Sequence, residues 1–378
     1  MNTQGVQLAT LLSGCATRPE ALSGVDWEAA VGSALRQDVG PVLHARLKER
    51  GTQVPPLVAE RLRESYVANA ARNMRLLHER DRAVAALSAA GICSLPIKGA
   101  SLAEELYGNA ALRPMADVDL WVRREDAGAA RSAVESLGYA ALSKTDRPPA
   151  LQDALMGETQ MAGPGGTLVE LHWNLFPGEW LRHTTRIDQD AIWERARQTG
   201  GGAMRQLAPE DAVIHLCVHL AVNHQMSGIG LRTLVDLDQA RRKWTIDWAL
   251  VAQRAREWRV TCATWLVLDA LAELFGDPEE QLPLRDLAPS RMRRFALHRL
   301  ASPRQVAEGL ALSNGPGRFL FLILLVDRFR DAARLSWRGL FPDRTWLTLR
   351  YGKPGARSWE RAVLRVRHLS STARRREV

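Results

Sequence analysis

The spacing of apolar residues changes twice along the chain, and this change constrains the fold more than any other feature. Up to about residue 90 the apolar residues recur at helical spacing, and a long helical pattern opens at Pro55 and Pro56 and ends at Gly91. Short apolar runs then alternate with helical segments, and helical spacing returns from Pro209 onward. Strands that alternate with helices are typical of an α/β unit. The sequence therefore predicts an α+β protein in which helices precede and follow a central α/β unit.

These changes of spacing divide the chain into four parts. We expect a helical N-terminal segment over residues 1–88, an α/β core over 89–207, a helical C-terminal domain over 208–340 and a basic tail over 341–378. Runs with the length and composition of strands occur four times in the core, as ICSLPIKG, ADVDLWV, the weaker ETQMAG and TLVELHWNL. The last of these follows a turn signal, Pro164-Gly165-Gly166.

The composition is that of an ordinary globular protein. Its four cysteines lie far apart and form no CxxC pair, which argues against a disulfide framework and against a zinc ribbon. The N terminus lacks the basic start and sustained apolar run of a signal peptide, and the longest apolar run, FLFLILLV, is too short to cross a bilayer. We therefore expect a cytoplasmic protein with no membrane partner.

The formal net charge of +9 is concentrated at the C terminus. From Arg338 to the end there are eleven Arg and Lys residues and three acidic residues. A basic tail of this kind can contact nucleic acid, an acidic protein or an anionic surface. The sequence shows no aromatic stacking platform or RNA-binding signature, so we favour a solvated helix face followed by a frayed end.

Two aspartates, Asp117 and Asp119, stand one residue apart in the otherwise apolar run ADVDLWV. Residues two apart in a strand point to the same face, so the two carboxylates should project together while Val118 and Leu120 pack on the other side. Two unpaired carboxylates this close would raise each other's pKa and reduce stability. A divalent cation removes that repulsion, and Mg²⁺ prefers carboxylate oxygen, phosphate oxygen and water as ligands. The pattern therefore indicates a magnesium site of the kind found in two-metal phosphoryl transfer.

A third carboxylate and a phosphate contact are expected near this pair. Alternation in TLVELHWNL places Glu170, His172 and Asn174 on one side, which makes Glu170 the natural third ligand. His172 either orients Glu170 or contacts phosphate, or it is a hydrogen-bonded structural histidine. In LPIKGASL, a strand end, Lys98 and Gly99 precede a helix start, which suits phosphate binding.

Arg113, a few residues before the aspartates, is a second candidate for a phosphate contact. On the helix from Pro209, the spacing of His215 and His219 permits zinc binding, but the HExxH pattern is absent and packing or substrate contact is the better interpretation. Arg232 and Asp236 also lie four residues apart, so an intrahelical ion pair is the simplest expectation for them.

Together these motifs resemble the nucleotidyltransferase superfamily related to DNA polymerase beta, and most closely a poorly characterised bacterial branch of it. The resemblance rests on IKGASL, ELYG, RPMADVDLWV and VELHW, with weaker matches in HLCVHLAVNH, LRTLVDLDQA and FPDRTWLTLRYGKP, and it spans most of the chain. It implies a small mixed sheet flanked by helices. The superfamily usually has Gly-Ser where this chain has Lys98-Gly99, and here Ser101 follows two residues after the glycine.

The resemblance also implies a reaction, the transfer of a nucleoside monophosphate from a nucleoside triphosphate to an acceptor hydroxyl with release of pyrophosphate. It makes Asp117, Asp119 and Glu170 the catalytic ligands of Mg²⁺. The residues expected at the nucleotide are Lys98, Gly99, Ser101, Arg113 and His172. The acceptor is a peptide or other natural product, a protein or an RNA end, and the resemblance slightly favours the first. The alternative is a degenerate member that binds a nucleotide or a protein partner without turnover.

Overall fold

The computed structural model describes residues 4–13, 24–142, 156–198, 204–277, 281–310, 316–351, 357, 359–360 and 363–366. Cys15 and most of the predicted basic tail lie outside the described residues. Within the described part, no helix combines the length and the apolar character that crossing a membrane requires.

The N-terminal part is helical, as the apolar spacing predicts. It contains α1 (Gln4–Leu12), α2 (Trp27–Arg36), α3 (Gly40–Glu49) and α4 (Pro56–Ala89). The side chain of Asp26 accepts a hydrogen bond from the backbone N–H of Ala29 at 3.1 Å and so caps α2. Gly91 follows α4 with a φ of +74°, a conformation that glycine adopts without strain.

The core is a five-stranded mixed sheet, which confirms the predicted α+β class. Its elements are β1 (Ser94–Pro96), α5 (Gly99–Glu105), β2 (Val118–Val122), α6 (Ala127–Glu135), β3 (Ala140–Ala141), β4 (Glu158–Ala162) and β5 (Leu168–His172). The spatial order is β1-β2-β5-β4-β3. Only β2 and β5 pair in parallel, and the other pairs are antiparallel. The four predicted strands are thus present, while the short β3 was missed because two residues carry no periodic pattern.

The two faces of the sheet differ, as the alternation in ADVDLWV predicts. Val118, Leu120 and Val122 of β2 belong to a buried apolar cluster with residues of α4, α6 and β5. Asp119 and Trp121 point to the opposite face, where Trp121 joins the larger core that the flanking helices build. The polar site therefore lies between the sheet and the helical parts of the chain.

Helices resume after the sheet. Directly after β5 come two short helices, α7 (Glu179–Thr184) and α8 (Gln189–Arg195), and a two-stranded ribbon of β6 (Arg197–Gln198) and β7 (Arg205–Gln206). The sequence did not reveal these four elements. The helices that follow are α9 (Pro209–Val218), α10 (Gly230–Lys243), α11 (Trp248–Trp258), α12 (Thr261–Phe275), α13 (Leu284–Leu287), α14 (Arg291–Leu300), α15 (Pro303–Glu308), α16 (Pro316–Leu324), α17 (Phe329–Leu340) and α18 (Arg344–Arg350). The N-terminal helix α1 packs on α15, so helices from before and after the sheet contribute to one core.

Candidate active site

Asp119 and Glu170 are neighbours on the two central strands. In the parallel pair β2–β5, Asp119 lies opposite Glu170, and registered partners in adjacent strands project from the same face. Asp119 is buried and Glu170 is nearly so. The predicted proximity of these two acids therefore follows from the strand register itself.

His172 lies next to both acids. Its Nε2 is 2.8 Å from Asp119 Oδ1 and 3.4 Å from Glu170 Oε2. Burial and the nearby Lys98 disfavour the imidazolium, but the hydrogen bonds with the two carboxylates dominate and raise the pKa of His172 to about 9. The same imidazole lowers the pKa of Glu170 below its usual range, against the effect of burial. His172 is thus cationic at neutral pH in the metal-free site.

Lys98 also binds Asp119. Its Nζ is 2.8 Å from Asp119 Oδ1, and the lysine is held there with a φ of +50°, which is uncommon for a residue with a side chain. Burial would raise the pKa of Asp119, yet Lys98 and His172 lower the pKa of that carboxyl far below its usual range. The sequence predicted Lys98 as a phosphate contact and gave no sign of this ion pair.

Asp117 has a different environment. It lies one residue before β2, is half-buried, and has no ion pair or hydrogen bond within the described part of the chain. Burial, followed by repulsion from Asp119 and Glu170, raises its pKa to about 6. The two aspartates of one motif therefore have opposite pKa shifts, because Lys98 and His172 form hydrogen bonds with Asp119 and not with Asp117.

The donor atoms present fit a divalent cation. Asp119, Glu170 and His172 each offer one ligand atom, and these three atoms all lie within 4.8 Å of one another. Two carboxylates with one imidazole suit a divalent ion, and the additional carboxylate of Asp117 is near enough to repel the others. An oxygen-only set of Asp117, Asp119 and Glu170 is the donor chemistry that Mg²⁺ prefers.

The two residues after Lys98 make internal contacts. A Cβ on Gly99 would clash with the guanidinium of Arg113 and with the side chain of Met115, so this glycine permits a close approach of protein rather than displaying an open backbone. The hydroxyl of Ser101 donates a hydrogen bond to Glu105 at 3.3 Å and is buried. The structure thus gives both residues a packing role that the sequence did not predict.

Arg113 is bound by protein rather than pointing freely into a cleft. Its guanidinium donates to both carboxylate oxygens of Asp236, at 2.9 to 3.2 Å, and both side chains are buried. The hydroxyl of Tyr107 donates to the same carboxylate at 2.7 Å. The predicted phosphate contact of Arg113 is therefore not visible in this arrangement, since its donors face Asp236.

The expected intrahelical pair between Arg232 and Asp236 is wrong. Asp236 forms its ion pair with Arg113. Nη1 of Arg232 instead donates to Asp38, in the N-terminal part of the chain, at 2.9 Å. The Nε of Arg232 is buried and has no hydrogen-bond partner among the described residues. Burial and the nearby Arg113 lower the pKa of Arg232, while Asp38, Asp236 and Asp117 oppose that effect. Arg232 is thus a cation near the acids that keeps an unpartnered donor among the described residues.

Three histidines, at the end of α9 and directly after it, form a neutral group. The helix continues from α9 as a π-helical turn, His219–Asn223, and this turn brings Nε2 of His219 to 3.1 Å from Nε2 of His224. His215 packs edge-on against Phe176 at 5.4 Å between ring centroids. Burial lowers the pKa of His215 to about 3 and that of His224 to about 4. The sequence flagged His215 and His219 but missed His224, because a spacing of five residues is not a regular helical one.

Glu158 is a further acid near the site that sequence reasoning missed. Its Oε2 lies 3.7 Å from Nδ1 of His172, because Glu158 is opposite His172 in the antiparallel pair β4–β5. The run ETQMAG is only a weak strand pattern, so the sequence did not identify Glu158 as a site residue. A carboxylate beside Nδ1 favours a proton on that nitrogen, and therefore the imidazolium form of His172.

Comparison with known protein families gives a match over most of the chain. The sequence model of the family described as "Uncharacterised nucleotidyltransferase" matches residues 23–276, which cover all five strands of the sheet and the helices from α2 to α12. No curated protein and no solved structure matches the chain.

Proposed function

Because the chain belongs to the family of uncharacterised nucleotidyltransferases, we propose that it transfers a nucleoside monophosphate from a nucleoside triphosphate to an acceptor hydroxyl. The observation that carries this proposal is the placement of Asp119 directly beside Glu170 on paired parallel strands, with Asp117 close enough to be repelled by both. The cofactor we propose is Mg²⁺. A divalent cation held by these acids would neutralise charge on the α-phosphate and lower the pKa of the acceptor hydroxyl.

The reaction requires a proton acceptor as well as metal ligands. The acceptor oxygen forms a bond to the α-phosphorus, the bond from that phosphorus to the bridging oxygen breaks, and pyrophosphate leaves with the electron pair. The hydroxyl proton must pass to a base. We assign this role to Asp117, which has no hydrogen bond or ion pair among the described residues, whereas the carboxylate of Glu170 lies 3.4 Å from Nε2 of His172.

The phosphates require cations. Lys98 forms an ion pair with Asp119, and its ammonium also interacts with Glu170 and Asp117. It can therefore reach the oxygens of a phosphate bound beside these acids. Arg232 offers a buried Nε without a partner in the described part of the chain, and its electrostatic interaction with Asp117 places it near the acids. We propose that Lys98 and Arg232 bind the phosphates. Arg113 instead positions α10 through its ion pair with Asp236.

The acceptor belongs to one of three classes: a peptide or other natural product, a protein, or an RNA end. The test follows α-labelled phosphate from each of the four nucleoside triphosphates in a lysate of the source cells, with Mg²⁺ and purified protein. We expect the natural sequence to transfer label to a molecule of one of these classes, and the Asp117→Asn variant to transfer none. The class of the labelled molecule then identifies the acceptor. Transfer that persists in Asp117→Asn would contradict the proposal, since the proposed reaction uses the carboxylate of Asp117 beside the metal and as the proton acceptor.

A second candidate function has one observation in its favour. The cations Lys98 and His172 already neutralise Asp119, as they would in a degenerate member that binds a nucleotide without turnover. Such a protein would bind a nucleoside triphosphate equally well with and without Mg²⁺ and would transfer no label. An enzyme should show nucleotide affinity that rises when Mg²⁺ is added.

A further inference from the structure

A second cleft opens at the carboxyl ends of the parallel strands β2 and β5. Its volume is about 560 Å³, which is within the range of small-molecule sites. The lining includes Trp121 from β2 and Trp173 and Asn174 directly after β5. In open α/β sheets, ligands bind in the crevice outside the carboxyl ends of parallel strands, and this cleft has that position relative to the parallel pair β2–β5. The position and size of the cleft are thus those of a ligand site.

The charge of the lining is unbalanced. Two acids, Glu125 and Asp190, share the cleft with four basic residues, which are Arg123, Arg124, Arg182 and Arg186. Arg123 is neutralised, because its Nη1 lies 3.2 Å from Asp190 and its guanidinium covers the ring of Trp193. No acid of the described residues forms an ion pair with the other three arginines. Their guanidinium groups therefore offer several donors to an anion.

The walls of the cleft are held by hydrogen bonds. Gln189 donates to Oδ1 of Asn174 at 2.9 Å and accepts from the backbone N–H of Leu175 at 2.7 Å. The backbone N–H of Arg186 donates to the carbonyl of Trp258 at 3.0 Å, so this arginine extends from an anchored segment. A Cβ on Gly157 would clash with Asn174, so a glycine is required for the close approach of these two segments. An ordered wall of this kind reduces the ordering cost of binding.

We propose that this cleft binds the anionic part of the acceptor, a small molecule that carries a phosphate or a carboxylate group. The inference rests on the proposed function, because it names the acceptor class for the same reaction. Trp121 follows Asp119 by two residues on β2, so at ~3.3 Å per residue the cleft begins roughly 7 Å from the catalytic acids. An acceptor anchored by its anion can thus extend its hydroxyl toward the α-phosphate. A cationic acceptor would be repelled by the unpaired arginines.

The experiment measures binding without turnover. Isothermal titration in buffer with EDTA uses two probes, glycerol 3-phosphate for the phosphate source and citrate for the carboxylate source. We expect one of them to bind, and the double variant Arg182→Ala, Arg186→Ala to weaken that binding by at least tenfold. The control is the double variant Arg72→Ala, Arg75→Ala, which removes two exposed arginines of α4 and should bind the probe as the natural sequence does.

The outcomes separate the cleft from the reaction. Binding of neither probe, or equal binding by the Arg182, Arg186 double variant, overturns the anion site. If an acceptor has been labelled, the same double variant should raise the KM for that acceptor at least tenfold and leave the KM for the nucleoside triphosphate unchanged. Probe binding in a protein that transfers no label overturns the acceptor role, because the proposed function has then failed while the anion site stands.

Discussion

The ammonium of Lys98 and the imidazole of His172 contact the same carboxylate oxygen of Asp119, each at 2.8 Å. A cation that binds Asp119 must therefore compete with two resident cations. Buried charges that lose a partner are strongly disfavoured, so this pairing also stabilises the site before any ligand arrives.

Removing the competing lysine should change metal affinity. In Lys98→Ala, Asp119 loses one of its two cations, so we expect Mn²⁺ to bind roughly tenfold more tightly or better in the absence of nucleotide, as the loss of one nearby positive charge implies. Titration calorimetry with the metal alone measures this. Weaker binding in Lys98→Ala would show that the lysine supports the metal site instead of competing with it.

Replacing Asp117 should separate stability from activity. The folded protein raises the pKa of Asp117 to about 6, so above that pH its charge opposes folding, and this cost is absent below the ordinary pKa of 3.8. Asp117→Asn should therefore be more stable at pH 7.5 in EDTA, with a free energy of unfolding higher by about 1–2 kcal/mol. Its unfolding temperature should rise accordingly. Turnover should fall by at least about a thousandfold. Thermal melts and the label assay check the two halves, and a destabilised Asp117→Asn protein would contradict the first.

The stability of the metal-free protein should depend on His172. Its pKa is raised from 6.5 to about 9, so the stabilisation from its charged form is fully present below pH 6.5 and is lost as the pH rises through 9. We expect the free energy of unfolding in EDTA to fall by about 1–3 kcal/mol between pH 7 and pH 10. The His172→Gln variant should lack this part of the pH dependence. Parallel curves for the two proteins would mean that His172 does not titrate in this range.

Arg113 and Arg232 should differ in what they stabilise. Arg113→Ala leaves the fully buried carboxylate of Asp236 without its cation, so we expect a loss of about 3–5 kcal/mol in urea unfolding. Arg232→Ala removes a pair with Asp38, whose side chain is 47% exposed, and should cost less than about 1 kcal/mol. The KM for the nucleoside triphosphate should rise in Arg232→Ala. An unchanged KM there would remove Arg232 from the phosphate site.

Much of the fold could be predicted from apolar spacing, because β2, β5 and the long helices carry regular patterns, while β4 carries a weaker one. Elements of two residues, such as β3 and β6, carry too few positions for a pattern. The proximity of Asp119 and Glu170 was predictable once both lay on alternating strands. The partners of Lys98, Arg113 and Arg232 were not, because a long cationic side chain reaches acids that lie 21 to more than 100 residues away in sequence. Local spacing contains no information about such partners.

The parallel pairing of β2 with β5 has a consequence for how the site can vary. Side chains alternate between faces, so a slip of one residue between these strands would move either the two acids or their packing partners to the wrong side. Asp119 would then face apolar side chains of α4 and α6. A mutation that loosens this single strand pair would thus remove the reaction chemistry without touching any catalytic residue, and an insertion of one residue within either strand would have the same effect.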